Sequence, residues 1–229
     1  MKRLVLILGF MTSFASFAQA QDQEFRKLFL GLGLGANMVG DETFPYFQLN
    51  FGYRLSPKSQ LALEFGMGSV TAKQIGSFTY GGGGHTYTDG KINYTYNLFA
   101  PSLSWSYFLG DVSKSVLWRV GPSIGVLQVT GTDSYTPTSK DGAEITGIPD
   151  PQSISKTAGV FGAHVGMTWN FARRWFLDLE YRLSANTGNL KFEERTVSIG
   201  TQNAPIDAKE FGAICNKITI GVGWRFGKP

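Results

Sequence analysis

Two carboxylates and a guanidinium alternate with apolar side chains in the stretch RWFLDLEYRLS, residues 174–184. Asp178, Glu180 and Arg182 fall on one parity, and aliphatic or aromatic residues lie between them. Strict alternation over this length is typical of a β-strand with two chemically different faces. A pair of carboxylates can act as acid and base on a polysaccharide, or it can pair with buried cations. The choice depends on which face of the strand points inward.

The chain begins with a pattern that is typical of secretion. Lys2 and Arg3 precede an apolar stretch, which ends at the cleavage signature Ala18-Gln-Ala20. We therefore expect a signal peptide over residues 1–20, which is cleaved, and one domain over residues 21–229. Its removal lowers the formal charge from +4 to +2, because it holds two basic and no acidic residues. So small a charge gives no reason to expect a nucleic-acid partner.

Alternating or Gly- and aromatic-rich stretches occur eight times after residue 20, and no segment shows a sustained helical period. Their connections alternate in length. Short polar turns lie at 56–59, 111–115 and 172–174, whereas long polar loops lie at 73–90, 131–156 and 188–212. The connection near 39–43 is a short exception among the loops. The predicted strands are 26–38, 44–55, 60–72, 91–109, 116–130, 157–171, 175–187 and 213–226.

The two faces of these strands differ in a consistent way. In the second strand Phe47, Leu49 and Phe51 oppose Gln48 and Asn50, and the last strand has the same division. One face is large and apolar, and the other carries glycine, hydroxyl, amide and charged groups. Recurrent glycine suits a crowded lumen better than a wet outer surface. The apolar face therefore points to lipid, and the polar face points into a closed barrel.

Aromatic residues support this orientation. All five tryptophans lie near a short turn or near the C-terminus, as expected of a girdle at a membrane interface. Phe44, Tyr46, Tyr94 and Tyr96 lie at the opposite ends of their strands and are candidates for a second girdle. The predicted girdle consists of Trp105, Trp118, Trp169, Trp175, Trp224 and Phe226.

The fourth strand changes phase. Its polar residues are odd-numbered at Asn93, Thr95 and Asn97 but even-numbered from Ser102 onward. We expect a β-bulge around Phe99-Ala100-Pro101, where proline is tolerated.

With these features the chain resembles the small eight-stranded outer-membrane barrels of Gram-negative bacteria, of the OmpA and OmpX type. The stretch FLDLEYRLS (176–184) is similar to their penultimate strand, and KITIGVGWRF (217–226) ends in an aromatic residue as their last strands do. The resemblance implies an all-β, up-and-down transmembrane barrel in the outer membrane, with short periplasmic turns and longer extracellular loops. It implies little about activity, because one fold hosts many functions.

The predicted lumen holds five cations and three carboxylates, which should pair because an unpaired buried charge is costly. We interpret the set as a structural ion network, with a narrow channel for small, possibly anionic, solutes as the alternative. A polysaccharide cannot reach Asp178 and Glu180 inside a closed barrel. The predicted network consists of Arg54, Glu64, Arg119, Asp178, Glu180, Arg182, Lys217 and Arg225.

Catalysis finds little support in the sequence. Lipid-modifying enzymes exist on such barrels, and RLSANTG (182–188) resembles the His-x-Ser motif of lipid A deacylases. Arg182, however, takes the place of the histidine. His164 should face the lumen and His85 lies in a Gly-rich loop, so no nucleophile has an evident base. We expect no catalytic, metal or cofactor site, with a lipid-modifying enzyme as the remote alternative.

Function is then expected in the loops, in envelope integrity, in adhesion or in an accessory role in an outer-membrane assembly or secretion complex. Outer-membrane lipid and lipopolysaccharide should surround the barrel, and a protein partner is expected at loops 131–156 and 188–212. TVSIG (196–200) alternates and predicts a protruding hairpin open to β-augmentation. The alternative is that these loops only shield the surface. The short-turn end is rich in Lys and Arg, which favours anionic headgroups, acidic partners or simple interface snorkelling.

Overall fold

The chain forms a closed antiparallel β-barrel in the computed structural model. The structure describes residues 27–82, 85–136, 152–188, 190–199, 202–206 and 208–226. The predicted signal peptide lies outside these residues. Among the described residues every regular element is a strand, and no helix is long and apolar enough to cross a membrane.

Eight strands close the barrel, as the sequence predicts. Neighbouring strands pair antiparallel in the order β1-β12-β7-β6-β5-β4-β3-β2. The eight barrel strands are β1 (Leu28–Val39), β2 (Glu42–Ser56), β3 (Ser59–Gly82), β4 (His85–Leu109), β5 (Val116–Thr136), β6 (Ser153–Asn170), β7 (Trp175–Asn186) and β12 (Ile214–Phe226).

Four short strands lie between β7 and β12 and form two nested hairpins. The outer hairpin pairs β8 (Leu190–Phe192) with β11 (Lys209–Phe211), and the inner one pairs β9 (Arg195–Ile199) with β10 (Gln202–Ile206). The hairpin predicted from TVSIG is therefore present as β9 and β10. The described part of this connection therefore consists largely of regular strands and is not an irregular loop.

The predicted short turns are confirmed, but two predicted loops are partly wrong. The stretches 73–82 and 85–90 continue β3 and β4, which pair with each other, and 131–136 continues β5. These segments are rich in Gly, Ser and Thr, so they carry a weak apolar pattern. Pairing with the neighbouring strand supplies the backbone hydrogen bonds that keep them extended.

The alternation of faces is confirmed along the barrel. In β1, Leu30, Leu32 and Leu34 face outward and are exposed, whereas Gly31 and Gly33 face the lumen. The large apolar face thus covers the outside of the barrel, as lipid contact requires.

Crowding explains lumen glycines at two places. A Cβ at Gly66 would meet the ring of Tyr46, and a Cβ at Gly223 would meet the ring of Phe176. Glycine leaves the space that each aromatic ring occupies.

The predicted bulge at Phe99-Ala100-Pro101 is wrong. β4 pairs with β3 without a register shift from Thr95, opposite Thr71, to Tyr107, opposite Ser59. Even-numbered residues of β4 face inward along this whole length. The polar residues Thr95 and Asn97 simply face outward, and Tyr94, Tyr96 and Leu98 face the lumen.

This exchange of polarity occurs at one level on four neighbouring strands. The outward apolar row ends at Met67, Phe99, Val126 and Phe161. Met67 lies opposite Phe99 in the register, and the next outward pair is Ser69 and Asn97. Beyond this level the outward side chains that the structure describes are polar, and Gln128 and Thr130 of β5 bond to Ser155 of β6. The solvent outside these strand ends is therefore water.

The same reasoning corrects the second aromatic girdle. Phe44, Tyr46, Tyr94 and Tyr96 are buried in the lumen, at 0%, 4%, 3% and 5% exposure. Because water lies outside at this level, their rings are buried inside. Five of the six residues of the first predicted girdle are exposed on the outer face: Trp105, Trp118, Trp175, Trp224 and Phe226. Trp169 also lies on the outward parity of β6 and is half-buried.

Candidate functional site

The centre of the lumen is built around the Glu64 carboxylate of β3. Arg182 Nη2 donates to Glu64 Oε1 at 2.6 Å, and Lys217 Nζ donates to Oε2 at 3.1 Å. The hydroxyl of Ser104 donates to Oε1 at 2.7 Å, and Gln48 Nε2 lies 3.4 Å from Oε2. Glu64 is 3% exposed, so both of its oxygens are paired in a buried site.

Glu180 of β7 links this cluster to a second one. Its Oε1 accepts from Arg182 at 2.8 Å and lies 3.2 Å from Lys217 Nζ, and its Oε2 accepts from Arg119 at 2.8 Å. Arg119 Nη2 and Nε also donate to Asp178, whose Oδ1 accepts from Thr168 at 2.7 Å. Three cations and three carboxylates are thereby connected, a balanced set in which each charge has an opposite partner.

Two of the eight predicted network residues lie outside this set. Arg54 stacks on the ring of Phe108, 4.5 Å from its centroid, and Arg225 stacks on Phe176 at 4.6 Å. Neither arginine forms a salt bridge within the described part of the chain. Both lie near the short-turn end, where aromatic rings take the place of carboxylates.

The structure also places a serine and a histidine together, which sequence reasoning did not find. Ser106 Oγ lies 2.8 Å from His164 Nε2, and Arg119 Nη1 donates to the same hydroxyl at 3.2 Å. Their parity on β4 and β6 predicts that both face the lumen, but not that they meet. The His164 Nδ1 atom has no hydrogen-bond partner among the described residues, so none of their acids orients the ring as in a catalytic triad.

The extracellular end of the lumen is closed by β8 and β11. Leu190, Phe192 and Phe211 are 0%, 4% and 3% exposed. The ring centroid of Phe211 lies 5.1 Å from that of Tyr96 and 5.7 Å from that of Phe192, both at edge-to-face angles. We call this cluster the apolar plug; its members are Val39, Phe44, Tyr46, Tyr94, Tyr96, Leu98, Leu127, Val129, Ala158, Leu190, Phe192, Phe211 and Cys215.

Two small cavities lie on either side of the ion network. The periplasmic one, about 30 Å³, is lined by Phe29, Phe176 and Arg225, and the extracellular one, about 40 Å³, is lined by Tyr46 and Cys215. Each has room for a few water molecules. The network separates the two, so the lumen is a packed core at its centre.

Several solved structures of outer-membrane proteins are similar to this chain. A major outer membrane protein from Thermus thermophilus has 20% identity and a TM-score of 0.51, and the alignment covers 87% of this chain and 99% of that one. Neisserial surface protein A has 12% identity and a TM-score of 0.48, with 87% and 96% covered. Ail, the attachment invasion locus protein of Yersinia pestis, in complex with the heparin analogue sucrose octasulfate, has 12% identity and a TM-score of 0.46, with 87% and 97% covered.

The sequence has no significant match among curated proteins. It does match one protein family over residues 6–226, nearly its whole length. The closed eight-stranded barrel, its apolar outer face and its polar lumen agree with that match. The protein is located in the outer membrane, where lipid and lipopolysaccharide surround barrels of this family. The chain belongs to the family described as the outer membrane protein beta-barrel domain.

Proposed function

We propose that this protein is a non-enzymatic interaction barrel, which binds a protein partner at its extracellular strands. The ion network and the apolar plug occupy the described part of the lumen, and small cavities of about 30 and 40 Å³ lie on either side of the network. Strands β3 and β4 extend beyond the end of the apolar outer row, and β10 of the β9–β10 hairpin contacts β3. A filled lumen with extended outer strands favours a function on the outer side.

The free edge of β9 carries this proposal. Thr196 lies opposite Pro205 in the hairpin register. Proline has no N–H, so this rung suits a non-hydrogen-bonded pair, in which backbone groups point away from the partner strand. Ser198 and Asn203 form the pair two residues further along, so their backbone groups have the same orientation as those of Thr196 and Pro205. On β9 the N–H and C=O groups of Thr196 and Ser198 therefore point outward.

The two edges of the hairpin differ. β10 contacts β3 and has Pro205 at one outward position, which blunts that edge. β9 pairs with no second strand among the described residues. An extended peptide from a partner can add to β9 by main-chain hydrogen bonds. We infer an accessory or adhesive role in which the partner supplies a strand.

Ser198 and Asn203 lie opposite each other in the hairpin, and proline at each position tests one edge. Ser198→Pro removes an outward donor from β9, and Asn203→Pro removes the equivalent donor from β10. The tagged protein is extracted from native outer membranes in mild detergent, and the mass of the intact assembly is measured. A heavier assembly should form with the unchanged protein and with Asn203→Pro, and it should be lost with Ser198→Pro.

Heat-dependent gel mobility checks that both variants form the barrel. A heavier assembly that survives Ser198→Pro would overturn the proposed β9 edge. A single species of the mass of one chain for the unchanged protein would favour a free-standing envelope barrel instead.

The contact between Ser106 and His164 raises the question whether the protein is a lipid hydrolase, which is the remote alternative. Both residues are buried, at 1% and 3% exposure, and Ser106 already accepts a hydrogen bond from Arg119. A nucleophile must reach its substrate and have an oriented base. The packing of this pair supports a role in the ion network, and lipid hydrolysis that persists in His164→Ala would exclude it as the base.

A further inference from the structure

The periplasmic side of the lumen has two buried cations without carboxylate partners among the described residues. Arg54 and Arg225 are 6% and 8% exposed, and the three carboxylates of the ion network are already paired with Arg119, Arg182 and Lys217. Five cations and three carboxylates leave an excess of two positive charges. Buried charge of this kind is costly unless something neutralises it.

Arg54 also lacks hydrogen-bond acceptors for two of its nitrogen atoms among the described residues. Arg54 Nε and Nη2 are buried and have no hydrogen-bond partner in the part of the chain that the structure describes. Arg225 lies opposite Phe29 of β1, and Arg54 N donates to Lys27 O at 2.6 Å, so both arginines flank the same end of β1. Both guanidinium groups stack on aromatic rings, which hold them in place but accept few hydrogen bonds. The donors on their edges are thus available to a ligand.

Positive charge also surrounds the entrance to this region. Five exposed basic residues lie at or next to the periplasmic turns: Lys27, Lys58, Lys114, Arg173 and Arg174. The acid of the described turn segments is Asp111, whose Oδ1 accepts from Ser113 N and Oγ at 3.0 and 2.9 Å. Hydrogen bonds from Ser113 and, to a lesser extent, the charges of Lys114 and Lys58 lower the pKa of Asp111, so the described turns carry one negative charge against several positive ones. A basic rim of this kind attracts anions.

We propose that Arg54 and Arg225 form a periplasmic binding site for a phosphate group. A phosphate carries a charge of about −1.5 to −2 at neutral pH, which matches the excess of two positive charges. Its oxygens accept paired hydrogen bonds from planar guanidinium groups. Arg225 lines the cavity of about 30 Å³ on this side of the network, and the carboxylates that also line it are already paired with Arg119, Arg182 and Lys217. Inorganic phosphate and the headgroup of an anionic phospholipid offer the same chemistry.

Titration calorimetry of the mature protein with inorganic phosphate, in non-ionic detergent and phosphate-free buffer, tests the site. Binding should saturate at one phosphate per chain. Arg54→Gln/Arg225→Gln should lower the affinity at least about tenfold, because charge-assisted hydrogen bonds are lost. The matched control Arg173→Gln/Arg174→Gln removes the same charge from the exposed rim and should change the affinity much less.

Thermal unfolding gives an independent readout. Phosphate should raise the unfolding temperature of the unchanged protein by mass action but not that of Arg54→Gln/Arg225→Gln. Should the double variant fail to fold, Arg225→Gln alone should still weaken binding. The absence of phosphate binding, or equal binding by the double variant, would overturn the proposal.

Lipid nanodiscs separate the two sources. If lipid supplies the phosphate, free phosphate should bind in phosphatidylcholine discs and fail to bind in discs that contain phosphatidylglycerol. If free phosphate is the ligand, both discs should give the same affinity. Asp22 and Glu24 precede β1 in the sequence. Phosphate binding that occurs only in Asp22→Asn/Glu24→Gln would show that this chain's own acids fill the site, and it would overturn the proposal.

Discussion

Arg182 of β7 and Glu64 of β3 form an ion pair across the full width of the barrel. Their strands lie four places apart in either direction around the eight-stranded order, and Arg182 Nη2 approaches Glu64 Oε1 to 2.6 Å. The same guanidinium nitrogen contacts Glu180 at 2.8 Å. Opposite walls of the barrel are therefore joined through charged side chains, where a soluble protein has an apolar core.

Replacement of Glu64 by glutamine should destabilise the barrel strongly. Arg182 and Lys217 would lose a shared carboxylate, and breaking a buried pair typically costs about 3–5 kcal/mol. The free energy of unfolding, measured by urea titration in lipid vesicles, should fall by about that amount. Glu42→Gln, which removes the half-exposed partner of Lys209, should cost less than about 1 kcal/mol.

The double variant Glu64→Gln/Lys217→Met should recover part of that loss, since it restores the charge balance. Equal stability of Glu64→Gln and Glu42→Gln would contradict the central role of this network.

Cys215 reports on the apolar plug. Its side chain is 4% exposed within the cluster that contains Phe192 and Phe211. Phe211→Ala should loosen the plug and increase the rate of maleimide labelling at this single cysteine. Glu210→Ala removes an exposed side chain from the same strand and should leave the rate unchanged. Fast labelling of the unchanged protein would show that the extracellular end is open.

The level at which the outer face changes polarity can be tested with lysine. Val120 faces outward near the middle of the apolar row of β5, and Thr130 faces outward beyond its end. Val120→Lys should cost about 2–4 kcal/mol, and Thr130→Lys about 0–1 kcal/mol. Unfolding in lipid vesicles measures both. Similar costs at the two positions would place the membrane boundary elsewhere.

Planar-bilayer recording addresses the channel alternative. The ion network separates the two lumen cavities, so we expect no steady openings from the unchanged protein. A porin reconstituted in the same bilayer serves as the positive control. Steady openings that disappear in Arg119→Gln/Lys217→Gln would instead establish an anion-selective pathway.

The sequence by itself determined the number of barrel strands, the ends that carry the short turns and the face that contacts lipid. Each depends on local alternation, as in the row Leu28 to Leu34 of β1, which is visible without knowledge of any partner strand. The inward position of all eight predicted charged residues follows from the same parity. Local pattern suffices here because the barrel has one lumen and one outer surface.

Only the tertiary structure decided which inward residues meet. Glu64 and Arg182 are 118 residues apart, and their contact depends on barrel closure and stagger, as does that of Ser106 with His164. The structure also corrected the bulge at Pro101 and the girdle at Tyr94 and Tyr96. Both predictions assumed lipid outside the whole strand. Above the apolar row the outside is water, so the same alternation buries aromatic rings within the barrel.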